Sequence, residues 1–494
     1  MTDRELLELV AHHRLDIRPD ELPTYRAHVT ACVASLERLE TLFRSADAPP
    51  GARDPGAPPA PEDNALNAWA WRCHVERPGA DGPLSGRRIA VKDNVCVAGV
   101  PMRVGSSMFE GFVPQLDATL VERLLDAGAT IAGKSECEAL CFSSGSHTAV
   151  SGPVRNPHDP ARSSGGSSGG SAVLVATGEV EMAIGSDSAG SIRTPSSYCG
   201  VHGLKPTAGL VPGSGVFPLE RTLDCPGPIA RTSADLALLL DVIAGPEDGG
   251  RDPRVPPPGG YGMRLDVGIE GLRVGVLEEG FGWPSSEEDV DAAVRAAVAA
   301  LGDLGARVEP VSVPLHRNGI DIWSGIAMEG ALESMIRSNG GGTNSRTWSD
   351  PEMVRAFRDV RNGGGLDASP SATVMILAGE LGRRTGTYHY AVARRLARRL
   401  AAAYDRALEE FDVLALPTNP MKPPLLPAPD DPLDVRITRS TEPILNACPF
   451  NVSGHPALSV PGARAGGLPV GLMLVGRWHG EADLLRTAAA MERR

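Results

Sequence analysis

Apolar residues recur every third or fourth position near the start of the chain. In YRAHVTACVASLERLETLF the stripe Tyr25, Val29, Cys32, Leu36, Leu39 and Phe43 predicts an amphipathic helix, the second of two such pieces in the first 43 residues. ADAPPGARDPGAPPAPED, Ala46 to Asp63, breaks the pattern with proline and glycine and reads as an irregular connection. The expected division is therefore a helical region with its linker over residues 1–62 and a main domain over 63–494. The stripe could pack on the chain's own body or on another subunit.

From Leu84 the pattern changes to short apolar runs separated by helical spacing. LSGRRIAVKDNVCV reads as strand, ATLVERLLDAGATIAGKSE as a helix stopped at Gly128 and followed by a strand, and Ser171 to Ala176 as a tightly packed helix. GLRVGVLEEGFG and VDAAVRAAVAALGDLGARVEPVSVP repeat a strand, helix, strand rhythm, and FDVLALPT, ALSVPG and GLPVGLMLVGR read as core strands. The fold class that follows is α/β, a mixed sheet covered by helices. Periodicity leaves the strand order open.

Composition narrows the functions. With 494 residues, 42% of them hydrophobic, the chain can fill a large core. Its 48 basic and 61 acidic residues give a net charge of −13, so no broad cationic field exists to hold a phosphate backbone, and nucleic acid is not expected as a partner. The N-terminus MTDRELLELV lacks an apolar signal segment and no run is long enough to span a bilayer, which points to a cytoplasmic protein. The eight cysteines form no dense framework. Cys137 and Cys141 stand close, but no further ligands cluster beside them, so neither disulfides nor a metal are expected. No cofactor is implied.

Three polar clusters carry candidate chemistry: AVKDN with Lys92 after an apolar run, SSGGSSGGS over 163–171, and GSDSAGSIRTP over 185–195. Each alone has a plain reading, a solvated lysine or a flexible Gly and Ser turn. A linker is badly placed directly before an apolar segment of a long α/β body, whereas glycine inside a domain lets backbone approach itself or a ligand. G-x-S-x-G matches at Ser167 or Ser168, but the preceding VRNPHDPARS is turn material where a nucleophile elbow needs a strand. A phosphate-binding loop fails because no G-K-[ST] follows the glycines. A serine activated by lysine remains, with a base that must be neutral and hence buried or surrounded by hydrogen-bonding groups.

GGSSGGS, GSDSAGSIRTP and CGVHGLKPT, with AVKDN upstream, resemble the amidase signature family over essentially Leu66 to Arg477. The resemblance implies a Ser-cisSer-Lys triad with Ser191 as nucleophile, Ser167 as bridging serine after a cis Gly166–Ser167 bond, and Lys92 as base. It also implies an oxyanion hole from the backbone N–H groups of Ser188, Ala189, Gly190 and Ser191. Family members usually carry two glycines before the nucleophile where this chain has Ala189 and Gly190, so an ordinary φ is expected at Ala189. Asp187 and Arg193 are expected to brace the loop, and Ser163 and Ser171 to support the glycine-rich turn.

KSECEALCFSSGSHT, GPVRNPHDP, GVFPLERTLD, EEGFG and FNVSGHPALSVP narrow the resemblance to bacterial amidases found beside nitrile-hydrolysing enzymes. It implies hydrolysis of a small-molecule amide substrate, an acyl-enzyme and a homodimer. The alternatives are carbamate or other acyl-nitrogen hydrolysis, a noncatalytic relative and an amidotransferase A-like subunit. Cys141, Phe142 and Ser143, with Trp323, Ile326 and Ile444 from the second half, are candidate pocket walls. His202 and His455 would matter only if one of them met a serine in space, as a histidine-dependent hydrolase requires.

Overall fold

A computed structural model of the chain describes residues 2–46, 53–247, 259–342 and 347–494. It divides into two compact units, residues 1–51 and 52–494. The smaller unit holds helices Asp3–His13 and Leu22–Ala46. Thr2 and Glu5 close a capping box on the first helix, and Arg26 reaches its first turn through an ion pair to Asp3 at 2.7 Å. On the second helix the stripe residues Tyr25, Leu36 and Leu39 are exposed.

The irregular connection is only partly covered, since residues 47–52 lie outside the described residues. From Arg53 onward the chain is attached to the larger unit. Arg53 makes a bidentate ion pair with Asp117 at 2.7 Å, and Ala57 bridges Arg72. Arg53 and Ala57 thus fasten the end of the connection to the larger unit.

Among the described residues the larger unit is built on one sheet of eleven strands. In chain order these are β1 (Trp69–Val75), β2 (Arg88–Lys92), β3 (Thr130–Ser135), β4 (Met182–Asp187), β5 (His202–Lys205) and β6 (Cys225–Ala230). They are followed by β7 (Arg273–Leu277), β8 (Arg307–Val311), β9 (Val413–Pro417), β10 (Ala457–Ala465) and β11 (Leu468–Val475). Their spatial order is β1-β3-β2-β4-β6-β5-β10-β11-β9-β7-β8. β2 runs parallel to β3 and β4, and β7 parallel to β8 and β9, while the remaining pairs are antiparallel.

Strands buried on both faces read as near-continuous apolar runs, which is why β2, β9 and β11 are visible in the sequence. β6, CPGPIA, is not. Its two prolines argue against a strand, yet it lies fully buried between β4 and β5. The helix Gly169–Thr177 is buried over most of its length, as its small and apolar residues require. Among the described residues no helix is long and apolar enough to cross a membrane.

Candidate active site

The ends of β2 and β4 set the site. Because the two strands are parallel neighbours, Lys92 at the end of β2 and the turn after Asp187 emerge on the same side. Ser167 comes from the glycine-rich loop ahead of helix Gly169–Thr177, and the Gly166–Ser167 peptide bond is cis.

Lys92 is fully buried. Its Nζ donates to Ser167 Oγ at 2.7 Å and to Ser186 Oγ at 2.9 Å, with Ser186 O at 3.4 Å. Asn94 Nδ2 donates to the same Ser186 hydroxyl at 3.2 Å. Among the described residues no carboxylate pairs with Lys92, so hydroxyls and a carbonyl are its whole polar surround. Ser191 stands between β4 and helix Arg193–Cys199 and is almost buried. The two serine loops meet through backbone, Ser168 N donating to Ser191 O at 3.1 Å. Ser191 Oγ makes no hydrogen bond among the described residues.

Asp187 organises the turn. Oδ1 accepts from Gly190 N at 2.7 Å, and Oδ2 from Ile192 N at 3.1 Å. Arg193 holds both oxygens, Nη2 to Oδ1 at 2.9 Å and Nε to Oδ2 at 3.0 Å, and both side chains are wholly out of solvent. Burial alone would raise the Asp187 carboxyl, but the Arg193 charge and hydrogen bonds, helped by Asn451, hold it well below the usual carboxylate range. Arg193 also reaches Ala447 O and Asn451 Oδ1, so the turn is tied to the segment before β10.

The Gly190 N–H is directed at Asp187, leaving those of Ser188, Ala189 and Ser191 without a hydrogen-bond acceptor among the described residues. Ala189 keeps φ outside the left-handed region, whereas Gly190 has φ +124° and a Cβ there would lie 2.7 Å from that of Ala447. Glycine is required at 190 and alanine is tolerated at 189. Ser163 Oγ accepts from Gly165 N at 2.9 Å, and Ser171 Oγ meets Ser135 Oγ at 2.7 Å while donating to Ile184 O at 3.0 Å.

Cys141, Phe142, Ser143, Trp323 and Ile444 line a narrow pocket of about 30 Å³ together with Ser188, Ala189 and Ser191. Trp323 does more than fill space, since its Nε1 donates to Ser188 O at 2.8 Å. Ile326 does not line it. One helical turn beyond Trp323 on helix Gly319–Ala331, it is fully buried in the apolar core, where the same helix spacing carries it.

Cys141, Ser188 and Leu219 also line an adjoining chamber of about 120 Å³ with Ser186 and Asp224. Ser188 Oγ donates to Asp224, and burial pushes the Asp224 carboxyl up to about 7 against that hydrogen bond. On the outer side, Ser440 is shared with a cavity of about 730 Å³ lined by His147, Arg436 and the stretch Leu426–Pro429.

The histidines lie elsewhere. His202 pairs with Glu492 at 2.7 Å and His455 with Asp405 at 3.2 Å, and neither makes a hydrogen bond to Ser167 or Ser191. Sequence reasoning missed Asn94, Ser186, Asp224 and Asn451. Ser186 lies inside GSDSAGSIRTP and Asn451 inside FNVSGHPALSVP, so the signal was present but the side chains could not be ranked without their partners.

The family model described as Amidase matches residues 60–485. The chain belongs to the amidase family. It is similar to an enantioselective amidase from Rhodococcus rhodochrous, 44% identical over 97% of this amidase and 93% of that protein. It is also 37% identical to the A subunit of a glutamyl-tRNA(Gln) amidotransferase from Halobacterium salinarum, over 87% of this amidase and all of that protein. Among solved structures, the peptide amidase of Stenotrophomonas maltophilia superposes with a TM-score of 0.66 at 30% identity, covering 84% of this amidase and 83% of that chain. The fold is the mixed α/β architecture of the amidase signature, and the protein is an amide hydrolase of that family.

Proposed function

We propose that this amidase hydrolyses small-molecule carboxamides to carboxylate and ammonia or amine by acyl transfer through Ser191. The observation that carries the reading is the buried 2.7 Å contact between Lys92 Nζ and Ser167 Oγ, beside a serine that faces a pocket. Lys92 in its free-amine form takes the proton of Ser167 as Ser167 takes that of Ser191, and Ser191 Oγ bonds to the amide carbon. Rotation of the Ser191 hydroxyl about χ1 when substrate binds closes the last link of the relay.

The carbonyl oxygen, now negative, meets the unused N–H groups of Ser188, Ala189 and Ser191. The C–N bond then breaks, the leaving nitrogen takes the proton back through the same relay, and an acyl ester remains on Ser191. Water, activated in the reverse direction, releases the carboxylate and restores the serine. Asp187 and Arg193 hold the loop, and Ser163 and Ser171 hold the glycine-rich turn that presents Ser167.

Carbamates and other acyl-nitrogen compounds would pass through the same steps, and the narrow pocket chooses among acyl groups by size. Small-amide hydrolysis is favoured over the amidotransferase reading because similarity to the enantioselective amidase extends over 97% of the chain. The reading includes residues 1–62 as an accessory helical region of a cytoplasmic homodimer and 63–494 as the catalytic domain. Exposed Leu36 and Leu39 on Leu22–Ala46 supply an apolar face for the second copy, which sedimentation velocity would register as twice the chain mass.

The test of function is release of ammonia or amine from propionamide, benzamide, an anilide and a carbamate. Turnover should disappear in a folded Ser191→Ala variant. Activity retained in that variant would remove Ser191 as the nucleophile.

A further inference from the structure

Two buried carboxylates take no part in the chemistry above and have no basic partner among the described residues. Glu329 lies on the helix Gly319–Ala331, which runs on directly into the π-helical stretch Leu332–Arg337. It is only 8% exposed, its carboxylate makes no hydrogen bond among the described residues, and Oε2 is sealed from solvent. Glu220 is 4% exposed. Its Oε2 accepts from Thr222 N at 2.7 Å and Thr222 Oγ1 at 2.6 Å, and Oε1 accepts from Tyr390 Oη at 3.3 Å.

Both acids line one cavity of about 510 Å³, with Leu332, Thr387 and Tyr390 among its walls. Their stems are held by close packing. A Cβ at Gly330 would sit 2.4 Å from Glu220 Cγ, and one at Gly382 would sit 3.2 Å from Glu329 Cγ. The neighbouring cations are engaged elsewhere. Arg221 donates to Thr347 Oγ1 and Gly341 O, Arg383 to Glu380, and Arg394 to Thr222 Oγ1, while the third acid of the cavity, Glu333, is paired with Arg337.

A buried carboxyl group with no hydrogen-bond or ionic partner destabilises the fold; Glu329 is such a group beside a cavity it shares with Glu220, so the pair marks a place where a ligand supplies the missing partner. The apolar and aromatic walls decide what kind of cation it is. Among the described residues no group of His, Cys, Asp and Glu side chains is arranged to hold a metal ion, whereas a tyrosine ring and a leucine suit a carbon skeleton.

We propose that this cavity binds an organic ammonium ion, its charged nitrogen facing Glu220 and Glu329 and its carbon skeleton lying against Leu332 and the ring of Tyr390. The site is separate from the nucleophile but adjoins its surroundings, because Arg221 and Thr222 also line the chamber that contains Ser188 and Asp224. The proposal does not depend on which residue is the nucleophile.

Isothermal titration of the full chain with benzylammonium, and with benzyl alcohol as the uncharged counterpart, tests it. Benzylammonium should saturate the wild type with one site per chain, and benzyl alcohol should not. Glu329→Gln and Glu220→Gln should each weaken binding at least tenfold. Glu329→Gln keeps the side-chain shape and removes an unpartnered charge, and Tyr390→Leu, which leaves both acids in place, should also weaken binding. Unchanged affinity in both glutamine variants, equal binding of the alcohol, or no saturable binding of benzylammonium by the wild type would each overturn the proposal.

Discussion

Arg193 and Asp187 form an ion pair with no solvent exposure on either side, and through it the turn carrying Ser191 is fastened to the segment around Ala447 and Asn451, more than 250 positions away in sequence. Asp187 simultaneously accepts the Gly190 and Ile192 N–H groups, so one carboxylate neutralises the arginine and shapes the turn. Replacing it leaves a buried guanidinium without its counter-charge. We expect Asp187→Ala to cost about 3–5 kcal/mol, read as a lowered urea midpoint, with activity lost as the turn relaxes. A change under about 1 kcal/mol would place the pair among weakly contributing contacts.

Each shifted carboxyl gives stability a pH dependence of definite sign. Burial pushes the Asp224 and Glu136 carboxyls up to about 7. In the unfolded chain such groups ionise near pH 4. A raised folded value means that their contribution is fully present below that pH and is lost as pH rises through about 7. Asp187 acts in the opposite sense, its contribution being lost only in acid as pH falls through its lowered folded value. Burial lowers His316 and His455, which act in the same sense as Asp187, so the Asp224 contribution is read as a difference: between pH 5 and 8 the urea midpoint of Asp224→Asn should fall less, or rise more, than that of the wild type. An unaltered slope in the variant would disconnect Asp224 from the pH dependence.

Among the described residues Lys92 contacts hydroxyls and a carbonyl and pairs with no carboxylate, the surround that the proposed basic role requires. Lys92→Ala should lower kcat by roughly 10²–10⁴. Lys92→Arg should not restore it, because a guanidinium is not deprotonated in proteins. Steady-state kinetics on any amide turned over by the wild type decides the point, and near-normal kcat in the arginine variant would contradict a basic role.

Trp323 links the pocket wall to the turn that carries Ser191 through its hydrogen bond to Ser188 O. Trp323→Phe removes that bond and widens the pocket. The ratio of kcat/KM for benzamide over propionamide should rise by about tenfold, within the 1–3 kcal/mol that a hydrophobic pocket can discriminate. A ratio that stays put would move the acyl-binding role to other walls.

Much of the scaffold could be read directly from the chain. The buried parallel strands declare themselves as apolar runs, and ordered glycine and serine motifs bring Lys92, Ser167 and Ser191 into consideration together. β6 is hidden because its prolines oppose strand formation, and only its placement between β4 and β5 overrides them. Ile326 reads as a pocket wall because apolar wall and apolar core have the same composition. The partners Ser186 and Asn451 are out of reach for a different reason. Their significance lies in contacts to residues 94 and 264 positions away, and no local pattern encodes a pairing at that distance.

Attachment of an acyl group to Ser191 is the event on which the proposed chemistry stands or falls. Rapid acid quench during turnover of a slowly hydrolysed amide or activated ester, followed by peptide mass spectrometry, should show the acyl mass on the peptide containing Ser191. The adduct should be absent in Ser191→Ala. An adduct on another residue, or undiminished turnover by the alanine variant, would contradict the relay from Lys92 through Ser167 to Ser191.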